Sequence, residues 1–192
     1  MTGKNADTYN RWILEGYNYF SEVGPGAFSI KELSERAGLS RTSFHYYFQD
    51  KDDLFDQLID HHMDEVRKFG EMATRDRSDV TEGIIRSMET LRSGILFHVQ
   101  LFMHRNIPKF NEAYLKGHEV NFRNGILDWF LGYFKLDMPP EEGKRAFLFF
   151  VDVLNSRLSN LLQTGKISSS LSTVFFEVIW DLQSLLNAYT GK

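Results

Sequence analysis

Arg41, Thr42, His45 and Tyr46 recur at the spacing of one helix face, and together they carry a guanidinium, a hydroxyl, an imidazole and a phenol. Such a set donates and accepts hydrogen bonds in the way that phosphate oxygens and base edges of nucleic acid require. Tyr47 extends it, and Lys51 adds a point charge suited to phosphate. The surrounding run, residues 29–54, supplies the elements that must hold these side chains. Ser29 and Glu32 form a capping box in which the serine oxygen accepts the backbone N–H three residues on and the glutamate reaches back, so a helix starts at Ile30. Ile30, Leu33 and Ala37 make one buried stripe, and Gly38 ends the helix where a left-handed backbone angle costs nothing. Ser40 caps a second helix of about two turns. Leu39, Phe44 and Phe48 anchor it inward and leave Arg41, Thr42, His45 and Tyr46 outside. Two short helices around a glycine-containing turn have the helix-turn-helix layout, whose second helix enters the DNA major groove.

A second chemical group is aromatic. Phe97, Phe102, Met103, Tyr114, Phe122, Trp129, Phe130, Tyr133, Phe147, Phe149 and Phe150 concentrate bulky and soft side chains in the later helices. Aromatic-rich bundles either fill a core or enclose an apolar cavity with a few polar groups, the usual build of a small-molecule site. Spacing alone does not separate the two. Asp152, set among Phe149, Phe150, Val151 and Val153, is a candidate counter-ion for a cationic ligand, and Arg145 stands seven residues before it.

The third group is histidine. His61 and His62 with Asp64 and Glu65 look like metal ligands on paper, but neighbours on a helix point about 100 degrees apart and cannot share one ion. His61 and Glu65 make half a site at most, and His98, His104 and His118 reach it only through the tertiary fold. No metal or cofactor is expected. With no strand, no phosphate-binding glycine loop and no set of nucleophile, base and acid, an enzyme is not expected either.

Helical periodicity organises the remainder. Asp50 caps a helix running to about Ala73, and a charged stretch over residues 74–79 follows. Ile84, Met88, Leu91, Ile95, Val99 and Phe102 predict one long helix over residues 80–104, ended by Pro108. Residues 109–134 are again periodic, with a break placed at Gly117, and Pro140 with Glu141 and Glu142 opens the next helix. The last two, residues 144–164 and 171–189, are apolar on more than one side, so they must be buried on more than one side. Packing against the same pair of a second subunit satisfies that demand, with Leu158 and Val178 expected at the two-fold seam; a larger monomeric core is the alternative.

The first quarter of the chain is similar to a known family. Residues 13–24, ILEGYNYFSEVG, resemble the first helix of the TetR family of transcriptional repressors. Ser29, Leu33, Ala37, Gly38, Leu39 and Ser40 match that family's helix-turn-helix, Phe44 to Phe48 its aromatic recognition segment, and Lys51 and Leu54 the start of its fourth helix. His45 stands where the family usually has tyrosine. The resemblance implies an all-α fold, with a three-helix DNA-binding domain at residues 1–50 and a larger ligand-binding and dimerisation domain at residues 51–192. It implies a homodimeric repressor on a double-stranded, palindromic operator, released by a small hydrophobic or aromatic effector. The DNA-facing residues are then Ser29, Ser40, Arg41, Thr42, His45, Tyr46, Tyr47 and Lys51, and the effector-lining ones Phe102, Phe122, Trp129 and Phe150.

Composition agrees with a helical, core-forming chain. Of 192 residues 42% are hydrophobic, enough for a substantial core, and the absence of cysteine excludes disulfides and thiolate metal sites. No early apolar run resembles a signal peptide and none approaches a membrane span, so a cytoplasmic protein is expected. Charge gives the reading less help. Within residues 1–51 six basic side chains face six acidic ones, whereas many DNA binders are more basic. A helical module that binds a small molecule or a protein, with little DNA affinity, is therefore the second reading.

Overall fold

The computed structural model describes residues 3–167 and 170–190, and among them every regular element is a helix. The first four are α1 (Gly3–Ala27), α2 (Ile30–Ala37), α3 (Arg41–Tyr47) and α4 (Lys51–Ala73). They are followed by α5 (Val80–Thr90), α6 (Arg92–Met103), α7 (Pro108–Arg123), α8 (Ile126–Tyr133), α9 (Pro140–Gln163) and α10 (Leu171–Thr190). No helix among the described residues is long and apolar enough to cross a membrane.

Polar caps set the starts. Ser29, Ser40, Asp50 and Asp79 each accept a backbone N–H from the first turn of α2, α3, α4 and α5. Pro108 and Pro140 open α7 and α9, where a missing N–H loses nothing. Three expectations need correction here. The helix over residues 80–104 is broken at Leu91, whose backbone (φ −104, ψ 40) leaves the helical region between α5 and α6. The stripe of apolar residues continues across the break because both halves face the same core, so periodicity could not reveal it. Residues 109–134 break at Asn124-Gly125 and not at Gly117: Gly125 takes φ 84, open to glycine at no steric cost, while Gly117 lies inside α7. Pro108 does not end α6, which stops at Met103, but begins α7.

Two apolar clusters form the interior. The first joins α1, α2 and α3 to α4, α6 and α7 through Trp12, Phe20, Leu33, Phe44, Leu58, Phe97 and Phe110. The Phe20 and Tyr17 rings each lie 4.5 Å from the Phe97 ring, so α1 is seated directly on α6. The N-terminal head therefore shares its core with the helices behind it. The second cluster is built by α5, α8, α9 and α10 with part of α4 and α6, around Ile84, Phe130, Phe147, Phe150, Leu158 and Val178. Leu158 (0% exposed) and Val178 (2% exposed) thus belong to the interior of one protomer, which corrects their expected place at a two-fold seam. On α9 and α10 the large apolar side chains left outside are Phe149, Phe176, Trp180 and Leu185, and Leu14 of α1 and Leu115 of α7 are exposed elsewhere.

Candidate nucleic-acid interface and ligand cavity

The turn between α2 and α3 is locked from several sides. Gly38 adopts φ 59, ψ 36 and its N–H donates to the Glu35 carbonyl, while the Leu39 N–H donates to Ser34 at 3.1 Å. The buried Ser34 hydroxyl donates to the Leu39 carbonyl at 2.6 Å, and Arg11 of α1 donates to the Ala37 carbonyl. Ser34 was not singled out by the sequence; as a serine inside a helix it gave no sign of this crossing bond. Trp12 meets Phe44 edge-on at 5.4 Å and holds α3 against α1.

Held this way, α3 turns Arg41, Thr42, His45 and Tyr46 to the exterior, with Tyr46 72% exposed. Ser40 and Ser29 act as caps: Ser40 Oγ accepts the Ser43 N–H at 3.2 Å, and Ser29 Oγ accepts the Glu32 N–H at 3.4 Å. Glu32 turns instead to the Tyr19 hydroxyl, which donates to its Oε2 at 2.8 Å. Tyr47 is half-buried and donates to the Asn5 carbonyl at 3.1 Å, and Lys51 donates to the Pro25 carbonyl at 3.3 Å. Those two tie α3 and α4 to α1, whereas the other four side chains are presented outward.

Behind the head lies a cavity of ≈ 110 Å³ between α4, α5, α6, α7, α8, α9 and α10. Trp129 and Phe150 line it, together with Phe69, Phe147 and Phe175. Phe102 and Phe122 lie elsewhere. Phe102 carries the Arg105 guanidinium 4.1 Å above its ring, and Phe122 packs edge-on against Phe147 at 5.6 Å. Trp129 Nε1 donates to Thr81 at 2.9 Å, which fixes the indole in the wall.

The cavity has a polar end that sequence spacing could not show. Tyr17 and His62 Nδ1 hydrogen-bond at 2.8 Å, and His62 Nε2 meets His98 Nδ1 at 3.2 Å. The His98 and His118 rings stand edge-to-face at 5.0 Å. The close approach of α7 depends on Gly117, where a Cβ would come within 3.2 Å of the His98 ring. His61 is not part of this group but stacks edge-on against Tyr17, and His104 bonds to the Gln100 carbonyl. Burial pushes His62 down to about 3 and His118 down to about 4, the latter partly offset by Asp152, and burial also holds His98 well below the ordinary imidazole value. All three rings are thus neutral near pH 7. Among the described residues no group of three or more His, Asp or Glu side chains is arranged to hold a metal ion.

Asp152 lies on the far side of this cluster and is already engaged. It accepts from Tyr114 at 2.6 Å and from Arg105 at 3.1 Å, and it is not in the cavity wall. Its partner is Arg105, not Arg145.

Residues 15–58 match the family model for bacterial regulatory proteins of the tetR family. Over 95 residues the chain is 28% identical to an uncharacterized HTH-type transcriptional regulator, YdgC, of Bacillus subtilis (strain 168), a match over 47% of this chain and 49% of the relative. It therefore spans about half the length of that curated relative. Among solved structures, a transcriptional regulator (TerR/AcrR family) from Aquifex aeolicus VF5 is similar at a TM-score of 0.59 and 18% identity, covering 93% of this chain and 99% of that one. At that identity the likeness is one of fold.

Proposed function

We propose, from the match of residues 15–58 to the family model for bacterial regulatory proteins of the tetR family, that the chain is a DNA-binding transcriptional regulator of that family that represses as a two-fold dimer on a palindromic operator. The observation that carries this reading is α3, capped by Ser40 and braced by Trp12, Ser34 and Arg11, with Arg41, Thr42, His45 and Tyr46 turned outward. A recognition helix needs that combination of a rigid seat and free polar tips. Ser29, Tyr47 and Lys51 support it by fixing the backbone of the head, and Lys51, half-buried at the start of α4, lies where a phosphate contact would add to this role. Head and remainder divide at about residues 50 and 51 in function, though not in packing.

The exposed Phe149, Phe176, Trp180 and Leu185 on α9 and α10 support the dimer, since a paired helical face buries them and places two heads on one duplex. The cavity supports an effector that lowers operator affinity by binding one arrangement of the heads more tightly than the other. A role on chromosomal DNA would place the chain in the bacterial cytoplasm. The evenly balanced charge of residues 1–51 favours the second reading, a small-molecule or protein-binding bundle with little DNA affinity.

Footprinting on the DNA upstream of the chain's own gene tests the first reading. Two protected half-sites spaced by about one helical turn, roughly 34 Å, or a multiple of it are expected. Uniform protection, or none at low salt, would favour the second.

A further inference from the structure

The cavity carries a more specific message than its size and apolar walls. His118 is 2% exposed, lines the cavity, and has no hydrogen-bond partner within the protein at either Nδ1 or Nε2. One turn further along α7, Asn121 also lines the cavity and its Oδ1 is likewise unpartnered. Buried polar atoms of this kind are rare because each forfeits a hydrogen bond it had in water. Two such side chains on one helix face, opening into one space, make a built recognition point. The neighbouring polar groups do not relieve them: His62 is engaged by Tyr17 and His98, Asn155 donates to Tyr114, and Glu65 is paired with Lys68 at 3.5 Å.

We propose that this cavity binds a neutral, single-ring aromatic alcohol, with its hydroxyl on His118 and Asn121 and its ring among Trp129, Phe147, Phe150 and Phe175. This deepens the effector reading above and rests on it. Size fixes the single ring, since ≈ 110 Å³ compares with the cavity of about 150 Å³ that takes benzene in a well-studied lysozyme variant. The atoms fix the head group. A neutral imidazole offers one N–H donor and one acceptor nitrogen, and the asparagine oxygen is a second acceptor. A hydroxyl supplies a proton to an acceptor and a lone pair to the donor from one oxygen. A carboxylate brings acceptors alone and leaves both protein acceptors unpaired, while an ammonium brings donors alone and leaves the His118 N–H unpaired. The low proton affinity of His118, a consequence of its burial, keeps that donor-and-acceptor character near pH 7.

The test is calorimetric titration of the purified full chain, without DNA, with phenol, toluene, benzoate and benzylamine. Phenol is expected to bind at least about tenfold more tightly than the other three, a difference of about 1.4 kcal/mol. His118→Phe is expected to erase the preference of phenol over toluene while leaving toluene binding in place. Asn121→Leu, a milder change at a half-buried position, is expected to reduce the same preference and serves if the first variant does not fold. Equal binding of phenol and toluene, tightest binding of benzoate or benzylamine, an unchanged preference in a folded variant, or no heat with any of the four would overturn the proposal. An operator shift on the same preparation separates the two levels. DNA binding without phenol binding overturns the ligand class alone, and phenol binding without DNA binding overturns the regulator reading alone.

Discussion

Arg41 and the buried histidines show the two ways a single side chain matters here. Arg41 is exposed at the start of α3 with no structural duty to lose, so Arg41→Ala should leave the folded state intact. If it reads a base with both arms of its guanidinium, operator affinity should fall by about 1–3 kcal/mol with relaxed preference at one position. Binding isotherms on matched and mutated half-sites check this, and an unchanged affinity would remove Arg41 from the reading set. The histidines act on stability. His62 and His118 titrate at about 3 and about 4 in the fold, below the ordinary value near 6.5, so between those limits the unfolded chain binds more protons than the folded one. Stability is then fully present above about pH 6.5 and is lost as pH falls toward 4, by several kcal/mol. Urea midpoints across that range should decline, with His118→Gln flattening part of the slope. The caps Ser29, Ser40 and Asp50 were legible in the sequence because capping is local chemistry. The Tyr17–His62–His98–His118 assembly was not, since its members come from α1, α4, α6 and α7 and meet only through tertiary packing.

Elements divide by what each face must satisfy. The α2–α3 pair was readable to the residue, because glycine, serine caps and apolar spacing agree there with one geometry. The breaks at Leu91 and at Asn124-Gly125 were less so. A helix that bends around a core keeps its stripe facing inward, and periodicity registers the stripe and not the bend. The double-sided character of α9 and α10 was legible, but not which stripe faces which neighbour. Leu158 and Val178 are interior, so Leu158→Glu should unfold the protomer by burying an unpaired charge. Trp180 is 74% exposed, so Trp180→Glu should leave the helical content of the protomer unchanged and shift the proposed dimer to monomer. Sedimentation with circular dichroism on both variants distinguishes the two effects, and a Trp180→Glu protein that stays dimeric would move the interface elsewhere.

At the scale of the whole molecule, one core runs from the reading head into the helices that wall the cavity. Tyr17 on α1 touches both Phe97, in the shared core, and His62, in the cavity wall, so a single contact joins the head to the cavity wall. In the proposed dimer, a ligand that moved α4 or α6 would change the spacing of the heads, and by reciprocity bound DNA would then disfavour that ligand to the same extent. Fold class and the head were visible in sequence because they rest on local pattern, whereas the cavity and its polar end depend on which aromatics leave space and which fill it. The claim on which all of this depends is that the head reads sequence in DNA. The most direct measurement is the affinity of the purified chain for its own upstream fragment, against a shuffled fragment of equal length and composition, at one fixed salt concentration. Specific readout predicts tighter binding to the upstream fragment by about a thousandfold or more. Equal affinity for the two fragments, or no binding to either at low salt, would contradict it.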